Sequence, residues 1–373
     1  MAALSDTRVA VLATQLCARV PGGTGRYVEE LIRALGRTQP DGATLAAVAP
    51  QRCERAQRLP VAVRGTPRLP GRLLARLWER GLPPRLSTTD VVHAPTVMVP
   101  SLPAAATLLV TIHDVVPWTH PETLTRHGVA FHRRMGARAS REAEAIVTPT
   151  EAVAVQVREL LEPRCPVVAV HSGVTVRPAP GDAASRRQRF GVGQGPYVLF
   201  VGTAEPRKGL DILIAALSRP DLRGAELVVV GPRGWGDIDV AELARAAGME
   251  ERVRVTGHVD EQDLAALYQG ARAMAMPSRA EGFGFPVLEA MGHGVPVVVS
   301  DDAALVEVSG GATVVVPVGD PEALAAALAL VTDAGPDREH LIRKGRVRVG
   351  EFDWDRTAAR MWTLYASVLA QDI

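Results

Sequence analysis

The chain has 373 residues, and 47% of them are apolar, which is enough to bury the cores of two domains. No apolar segment approaches the roughly 18 residues of a membrane-spanning helix, and the three cysteines are scattered and odd in number. We therefore expect a cytosolic protein without a disulfide framework or a zinc knuckle.

The net charge of +1 is unevenly distributed along the chain. Residues 1–180 carry 22 arginines and 14 acidic residues, a charge of +8, whereas residues 181–373 carry a charge of −7. The basic half favours an anionic partner such as a membrane surface or a phospholipid-linked acceptor, although ordinary surface arginine explains the excess equally well. The low aromatic content of 4% and the acidic second half disfavour nucleic-acid binding.

Short apolar segments alternate with helical patterns, which predicts an α/β fold with parallel strands. In the first half, a helix is predicted from near Gly25, and strands are predicted at residues 9–12, 45–48, 91–93, 108–112, 145–148 and 167–170. In the second half, strands are predicted at residues 197–201, 227–230, 253–255, 273–276, 295–299 and 313–316.

Two such series of similar size predict a pair of Rossmann-like domains, residues 1–180 and 190–354, with parallel sheets facing each other across a cleft. Residues 175–195 are rich in Pro, Gly and Arg and predict a linker. Residues 354–373 predict a final helix with an apolar stripe at Met361, Leu364, Tyr365 and Val368.

The glycines that precede the first helix form the first candidate binding segment. Gly22 and Gly23, within residues 21–27, would let a phosphate approach the backbone, although a plain tight turn explains them at least as well. His113 follows a buried strand and could hydrogen-bond a substrate hydroxyl. A structural histidine, or one paired with Asp114, is the alternative.

A second pair of candidate groups follows the first strand of the second half. Arg207 and Lys208 come after Gly202 and could neutralise a diphosphate, while the alternative is a solvated pair at a helix start. Cations are unfavourable at a helix start, which supports a functional role. Lys208 is also one of only two lysines in the chain, the other being Lys344.

Residues 281–289 are the most informative segment, because Glu281 and Glu289 flank a glycine-rich turn. Pro286 suits a first helical position, so we expect Glu281 on a loop and Glu289 in the first helical turn. The amides of Val287 and Leu288 would then be free donors for a phosphate or a hydroxyl-rich ligand.

Between the two glutamates lie Gly282, Phe283 and Gly284. The glycines would let the backbone come close to a ligand, which a carboxylate that merely complements a helix dipole would not require. The segment therefore predicts a site for a sugar nucleotide. Asp301 and Asp302 follow a later strand and are interpreted as a helix cap rather than a metal site.

Together these segments resemble the GT-B-fold retaining glycosyltransferases of family 4, over nearly the whole chain. Glu281 and Glu289 match the E-x7-E signature of that family. Residues 201–211 resemble its donor-phosphate element, residues 22–27 resemble its N-domain glycine loop, and His113 resembles its active-site histidine. His113 and Asp114, followed by Pro117 and residues 121–122, are similar to a branch rich in mannosyltransferases.

The resemblance implies a role for each candidate residue. Glu289 would hold the nucleotide ribose, and Glu281 with the backbone of Phe283 and Gly284 would hold the donor sugar. Arg207 and Lys208 would stabilise the departing diphosphate. The remaining members of the donor site would be Gly22, Gly23, Gly202, Gly282, Val287 and Leu288, and His113 would line the reaction centre.

The reaction implied by the resemblance moves a sugar from a nucleoside diphosphate to an acceptor hydroxyl with retention, without a metal or another cofactor. Mannose from GDP-mannose is the leading candidate donor, and the acceptor would be a cell-envelope glycan, a glycolipid or a small molecule. The helix at residues 355–373 would pack back on the N-terminal domain. Thr203 departs from the family, because many relatives carry Arg there.

Two other functions remain open from the sequence. A sugar-nucleotide epimerase on the same fold would interconvert the donor without an acceptor, and a non-catalytic protein would only bind the nucleotide sugar. Peripheral contact with an anionic membrane at its inner face is a further hypothesis. It depends on Arg72, Arg76 and Arg80, which recur every four residues beside several apolar side chains, although a surface helix packed on its own domain explains the pattern as well.

Overall fold

The computed structural model describes residues 4, 6–18, 22–86, 89–193, 195–222, 224–234, 236 and 238–371. The chain divides into two compact units. The first unit contains residues 1–119, 126–173 and 352–373, and the second contains residues 120–125 and 174–351. Pro21 of the first glycine segment and residues 372–373 of the predicted final helix lie outside the described residues.

The first unit is built on a parallel sheet of seven strands among its described residues, in the order β3-β2-β1-β4-β5-β6-β7. The strands are β1 (Arg8–Leu12), β2 (Thr44–Ala49), β3 (Ala62–Gly65), β4 (Val91–Ala94), β5 (Thr107–Thr111), β6 (Ala145–Thr148) and β7 (Val167–Ala169). The order reverses between β1 and β4, which is the point where such sheets bind ligands.

The second unit is built on a parallel sheet of six strands in its described part, in the order β10-β9-β8-β11-β12-β13. The strands are β8 (Tyr197–Val201), β9 (Glu226–Val230), β10 (Val253–Gly257), β11 (Ala273–Met276), β12 (Val297–Ser300) and β13 (Val314–Val316). This is the strand order of a dinucleotide-binding domain, and it reverses between β8 and β11.

Helices connect the strands of both sheets. They are α1 (Gly22–Arg37), α2 (Glu54–Gln57), α3 (Gly71–Glu79), α4 (Val116–Thr119), α5 (Arg126–Glu142), α6 (Glu151–Leu161), α7 (Ala183–Gln188), α8 (Leu210–Leu217), α9 (Val240–Ala246), α10 (Glu261–Gly270), α11 (Phe285–Gly292), α12 (Ala303–Ser309), α13 (Pro321–Thr332), α14 (Pro336–Val349) and α15 (Trp354–Ala370). Among the described residues, no helix is both long and apolar enough to cross a membrane.

The predicted strands are confirmed within a few residues at their ends. Strands such as β4, β6, β11 and β12 are buried along their whole length, and this is why their sequences are continuous apolar runs. The fold prediction of two Rossmann-like units with parallel sheets is therefore confirmed. Strand β3 had no predicted counterpart, because it lies at the sheet edge and is mostly exposed.

Two segment boundaries differ from the predictions. Helix α1 begins at Gly22 rather than near Gly25, so the glycines belong to its first turn instead of a preceding loop. The apolar face of α1 at Tyr27, Leu31 and Leu35 is buried. The predicted linker at residues 175–195 lies in the second unit and contains the short helix α7.

The final helix, α15, belongs to the first unit and packs on α1. Its predicted apolar stripe at Met361, Leu364, Tyr365 and Val368 is buried. The start of α15 lies so close to Gly173 that a Cβ atom there would overlap the backbone of Trp354. The C-terminal segment is therefore part of the core of the N-terminal unit.

The expectation that the cysteines would form no disulfide is wrong. Cys17 and Cys53 form a disulfide with their Cα atoms 5.5 Å apart, and Cys165 is a free thiol. Cys17 follows β1 and Cys53 follows β2, and these strands are neighbours in the sheet. The pairing depends on that tertiary contact and cannot be read from a separation of 36 residues.

Candidate functional site

The candidate donor-side residues of the second unit lie where its sheet order reverses. Arg207 and Lys208 form a short 3-10 helix after β8, and Glu281 lies on the loop after the neighbouring strand β11. The carboxyl ends of adjacent parallel strands bring these two loops together. The loops are tied further by Arg279, whose guanidinium is paired with the Asp211 carboxylate at 2.6 Å.

Glu281 is the centre of a compact ion cluster. Its carboxylate accepts a hydrogen bond from the Lys208 ammonium at 2.6 Å, one from the Arg207 guanidinium at 3.1 Å and one from the Ser278 hydroxyl at 2.7 Å. Arg207 also donates to the Glu205 carboxylate at 2.7 Å. The cluster contains two cations and two carboxylates, and its formal charges balance.

Burial and neighbouring charges set the protonation of this cluster. Burial alone raises the pKa of Glu281, but the charges of Lys208 and Arg207 outweigh it and lower that pKa to about 2. Burial, and then the charge of Arg207, lower the pKa of Lys208, and the charge of Glu281 opposes them. The side chain of Arg207 is 15% exposed and that of Lys208 is 13% exposed, so neither cation is fully shielded from solvent.

Glycines give these loops their tight geometry. Gly209 ends the 3-10 helix at a φ of +69°, and a Cβ atom there would overlap the Pro277 carbonyl of the facing loop. Gly202 lies beside the stem of Lys208, where an added Cβ would stand 3.8 Å from Cδ. Gly209 thus allows the close approach of the two loops, whereas a Cβ at Gly202 would make only ordinary van der Waals contact.

The glycine-rich turn between the two glutamates is buried. Gly284 has a φ of +87°, and a Cβ atom there would meet the Leu305 side chain at 2.6 Å. Phe283 is buried against Phe285, with ring centroids 4.9 Å apart. Gly282 is buried as well, so this turn has a fixed, packed conformation.

Glu289 lies one turn inside α11 rather than in its first turn, because the helix begins at Phe285. Its buried carboxylate accepts a hydrogen bond from the Tyr268 hydroxyl at 2.8 Å. The prediction of a free amide at Val287 is wrong, because this amide donates to the Gly284 carbonyl at 3.0 Å. Leu288 follows it in the helix and is fully buried.

Asp302 caps the neighbouring helix α12, as the sequence indicated. Its Oδ1 accepts from the Ala304 and Leu305 amides, and its Oδ2 accepts from the Glu281 amide at 3.2 Å. Burial, with the charge of Glu281, raises the pKa of Asp302 from 3.8 to about 6. Asp301 accepts from the Val318 amide. In the described part of the chain, no group of three or more potential ligands could hold a metal ion.

In the first unit, His113 follows β5 and is partly exposed. Its Nε2 is 2.9 Å from the Pro95 carbonyl, which can only accept, so Nε2 carries the proton and Nδ1 has a lone pair in the neutral ring. Burial lowers the pKa of His113, and the Pro95 carbonyl and Asp114 oppose that shift. Asp114 accepts from the Val116 amide. The geometry supplies an imidazole held in one tautomer.

A buried polar chain lies beneath His113 and was not predicted. His93 on β4 hydrogen-bonds the Tyr365 hydroxyl through Nδ1 and the Thr111 hydroxyl through Nε2, both at 2.8 Å. Thr111 also hydrogen-bonds Tyr27, whose ring stands edge-on to His113 with centroids 4.7 Å apart. Burial lowers the pKa of His93 to about 3, so the ring is neutral. The sequence signal that could have indicated this chain is His93 itself, a single polar residue within the apolar strand β4.

The glycines at the start of α1 are the remaining part of the first unit's candidate site. Gly22 has a φ of +62°, and a Cβ atom added there would have open space around it. Gly22 and Gly23 are both exposed. Their backbone is accessible to a ligand at the carboxyl end of β1.

Comparisons with known proteins assign the chain to a family. A model described as "Glycosyltransferase Family 4" matches residues 21–177, and one described as "Glycosyl transferases group 1" matches residues 195–333. The chain belongs to the family 4 glycosyltransferases. This membership makes it a transferase enzyme.

Curated relatives of this glycosyltransferase are about a third identical to it over the aligned segments. It is 29% identical over 283 residues to "O-antigen chain mannosyltransferase B" of Escherichia coli, covering 74% of each chain. It is 34% identical over 235 residues to "D-inositol 3-phosphate glycosyltransferase" of Thermobispora bispora, covering 57% of this chain and 54% of the relative. In the second case the match spans about half the length of the relative.

A solved structure shows the same fold. The Anabaena protein Alr3699/HepE in complex with UDP and glucose matches with a TM-score of 0.73 and 18% identity, covering 97% of this chain and 100% of that one. The glycosyltransferase therefore has the GT-B architecture that its sequence predicted. In its second unit, the structure brings Arg207, Lys208 and Glu281 into contact, while Glu289 contacts Tyr268 instead.

Proposed function

We propose that this glycosyltransferase transfers a sugar from a nucleoside diphosphate to an acceptor hydroxyl and retains the anomeric configuration. The observation that carries the proposal is the pair of partly exposed cations, Arg207 and Lys208, at the point where the second sheet reverses its order. Charged groups fixed at this position stabilise the negative charge that develops on a departing diphosphate.

Glu281 fixes these cations before the donor binds. Two short ion pairs hold Lys208 and Arg207 in place, so little reorganisation is needed when a diphosphate arrives. The same carboxylate, with the backbone of Phe283 and Gly284, would meet the donor sugar. Arg207 and Lys208 would neutralise the charge of the leaving diphosphate, and we propose that no metal or other cofactor takes part.

Glu289 would hold the ribose hydroxyls through its carboxylate. Tyr268 occupies one of its oxygens at 2.8 Å and orients the group from the buried side. A carboxylate already held by one hydrogen bond loses less entropy when it binds a diol. The backbone of Gly202 and Gly282 completes the proposed donor site of this unit.

In the first unit, His113 would contact the donor sugar through Nδ1, since Nε2 is held by the Pro95 carbonyl. Gly22 and Gly23 would approach the phosphates with their exposed backbone. The acceptor hydroxyl would attack the sugar on the same face from which the diphosphate departs, and a phosphate oxygen would take the acceptor proton. No protein nucleophile is then required. Catalysis would then arise from positioning and from charge stabilisation.

GDP-mannose is the proposed donor, and mannose is the sugar it would transfer. The proposed acceptor is a cell-envelope glycan or a lipid-linked glycan. Support comes from the residues around His113 and from the Escherichia coli relative, which is named as an O-antigen chain mannosyltransferase. The solved relative that binds UDP and glucose makes a UDP-sugar the competing donor. A thermal-shift panel of GDP, UDP, ADP and their sugars tests this, because a ligand raises the melting temperature by mass action.

Peripheral membrane contact is proposed for the outer side of α3. Arg72, Arg76 and Arg80 are exposed there, and Leu73, 44% exposed, lies among them, while Leu74 and Trp78 are buried. Exposed leucine beside arginine suits an anionic lipid surface. Sedimentation with phosphatidylglycerol vesicles tests this, with Leu73→Glu expected to abolish binding. Equal recovery of both proteins in the vesicle pellet would reject the proposal.

A further inference from the structure

The disulfide between Cys17 and Cys53 lies at the ligand edge of the first sheet. Cys17 ends a short 3-10 helix, Thr14–Cys17, which follows β1, and Cys53 precedes α2, which follows β2. Both positions are at the carboxyl ends of adjacent parallel strands. The sheet reverses its order on the other side of β1, so the bond closes one flank of the predicted ligand site.

The 3-10 helix is the element through which this bond can act on the site. It contacts α1, α2 and β2, and α1 begins at Gly22, five positions after Cys17. Its backbone hydrogen bonds at Leu16 and Ala18 are local ones, to Ala13 and Gln15. The Ala13 amide just before it donates to the Val48 carbonyl of β2, and the covalent link to α2 adds a second long-range restraint to this short element.

The two sulfurs differ in access to solvent. Cys17 is an exposed residue, whereas Cys53 is 7% exposed. We therefore expect a small thiol to attack the bond at Cys17 rather than at Cys53. Cys165 is half-buried between α6 and β7, and burial raises the pKa of its thiol. A reactive exchange at Cys17 is therefore distinguishable from chemistry at Cys165.

We propose that Cys17 and Cys53 form a reversible thiol–disulfide couple that controls the affinity of the first unit's glycine segment for the diphosphate of the donor. The thiolate of a low-molecular-weight thiol attacks Cys17 Sγ, the S–S bond breaks, and Cys53 leaves as a thiolate that takes a proton from water. A second thiolate attacks the mixed disulfide, which releases Cys17 and the oxidised small disulfide. Two electrons pass to the protein in all.

The oxidised state is the tighter-binding one. The bond holds the 3-10 helix against α2, and this 3-10 helix also contacts α1, whose first residues are Gly22 and Gly23. Reduction removes the restraint, so more conformational freedom is lost when a diphosphate binds. The effect on affinity rests on the proposed function, whereas the exchange chemistry at the cysteines does not.

The test equilibrates the full-length protein with reduced or oxidised glutathione. Peptide mapping after alkylation reports the Cys17–Cys53 link, thermal melting reports the restraint, and titration with GDP and UDP reports affinity. We expect the link under oxidised glutathione, a melting temperature that falls by at least about 4 °C on reduction, and a dissociation constant that rises at least threefold. Cys53→Ser should behave as the reduced protein in both buffers, and Cys165→Ser should respond as the wild type.

Each result has a separate meaning. If both cysteines are alkylated after treatment with oxidised glutathione, no couple forms and the proposal is overturned. If the link forms but the affinity is the same in both states, the claim of control is overturned. If neither nucleotide binds in either state, the proposed donor chemistry fails, while mapping and melting still decide whether the couple exists.

Discussion

Replacing Lys208 with methionine removes the ammonium from the buried ion cluster and keeps most of the side chain's volume. Glu281 then loses its contact at 2.6 Å but keeps Arg207 at 3.1 Å and Ser278 at 2.7 Å. Removing one partner of a buried pair costs about 3–5 kcal/mol when the other charge is left alone. Because two partners remain, we expect a loss of about 1–3 kcal/mol in the free energy of unfolding.

The effect on catalysis should exceed the effect on stability. Removing one fixed group that stabilises transition-state charge lowers kcat by about 10²–10³. A loss of about 1–3 kcal/mol lowers the melting temperature by only a few degrees in a unit of this size, so the protein stays folded at 25 °C. Lys208→Ala should give a similar loss of turnover with a larger loss of stability.

The assay measures kcat and KM for sugar transfer by the wild type, Lys208→Met and Lys344→Met. Lys344 is the other lysine of the chain and is exposed on α14, so its replacement controls for the loss of one charge. A Lys208→Met enzyme that melts a few degrees lower yet turns over within threefold of the wild type would refute the phosphate role. It would show that the cluster serves folding alone.

Four other substitutions test separate parts of the account. Glu289→Ala should weaken donor binding about 10–100-fold by calorimetry, because a hydrogen-bonded charge is lost, whereas Tyr268→Phe should weaken it less. Tyr365→Phe should lower both stability and kcat, because His93 beneath the His113 site loses a partner. The pKa of Asp302 is raised from 3.8 to about 6, so its contribution to stability is present below pH 3.8 and is lost by pH 6. Asn does not titrate, so the free energy of unfolding of Asp302→Asn should rise by about 2 kcal/mol relative to that of the wild type between pH 4 and pH 7.

Controls separate these effects from general destabilisation. Tyr197→Phe removes another buried tyrosine hydroxyl, which donates to the Leu267 carbonyl in the second unit, and it should leave kcat unchanged. An equal fall of kcat in both tyrosine variants would remove the argument for the chain beneath His113. Unchanged calorimetry of Glu289→Ala would count against the ribose role. Parallel stability curves for Asp302→Asn and wild type across this pH range would contradict the raised pKa.

The sequence predicted most of the fold because the strands are continuous apolar runs between helical patterns. Both faces of strands such as β6 and β11 are covered, so their burial leaves a clear signal in composition. The exposed edge strand β3 has no such signal and was missed. The start of α1 was placed three residues late, because glycines are poor indicators of helix, and these ones lie in its first turn.

The sequence identified the residues of the candidate site but not the contacts between them. Arg207, Lys208 and Glu281 were each identified from local motifs, yet their ion pairs join positions 73 and 74 apart in the chain. The disulfide and the hydrogen bond between His93 and Tyr365 depend on long-range pairing in the same way. Local spacing reports which loop a residue occupies, and only the tertiary fold decides which loops meet.

The most direct test of the central claim follows both products of the reaction in one mixture. The nucleoside diphosphate-sugar selected by thermal shift is incubated with an acceptor, and NMR records the released diphosphate and the anomeric protons. The account predicts one diphosphate released for each new glycoside, with the donor's anomeric configuration retained. Conversion of the donor to its epimer without release of diphosphate would contradict it and identify an epimerase.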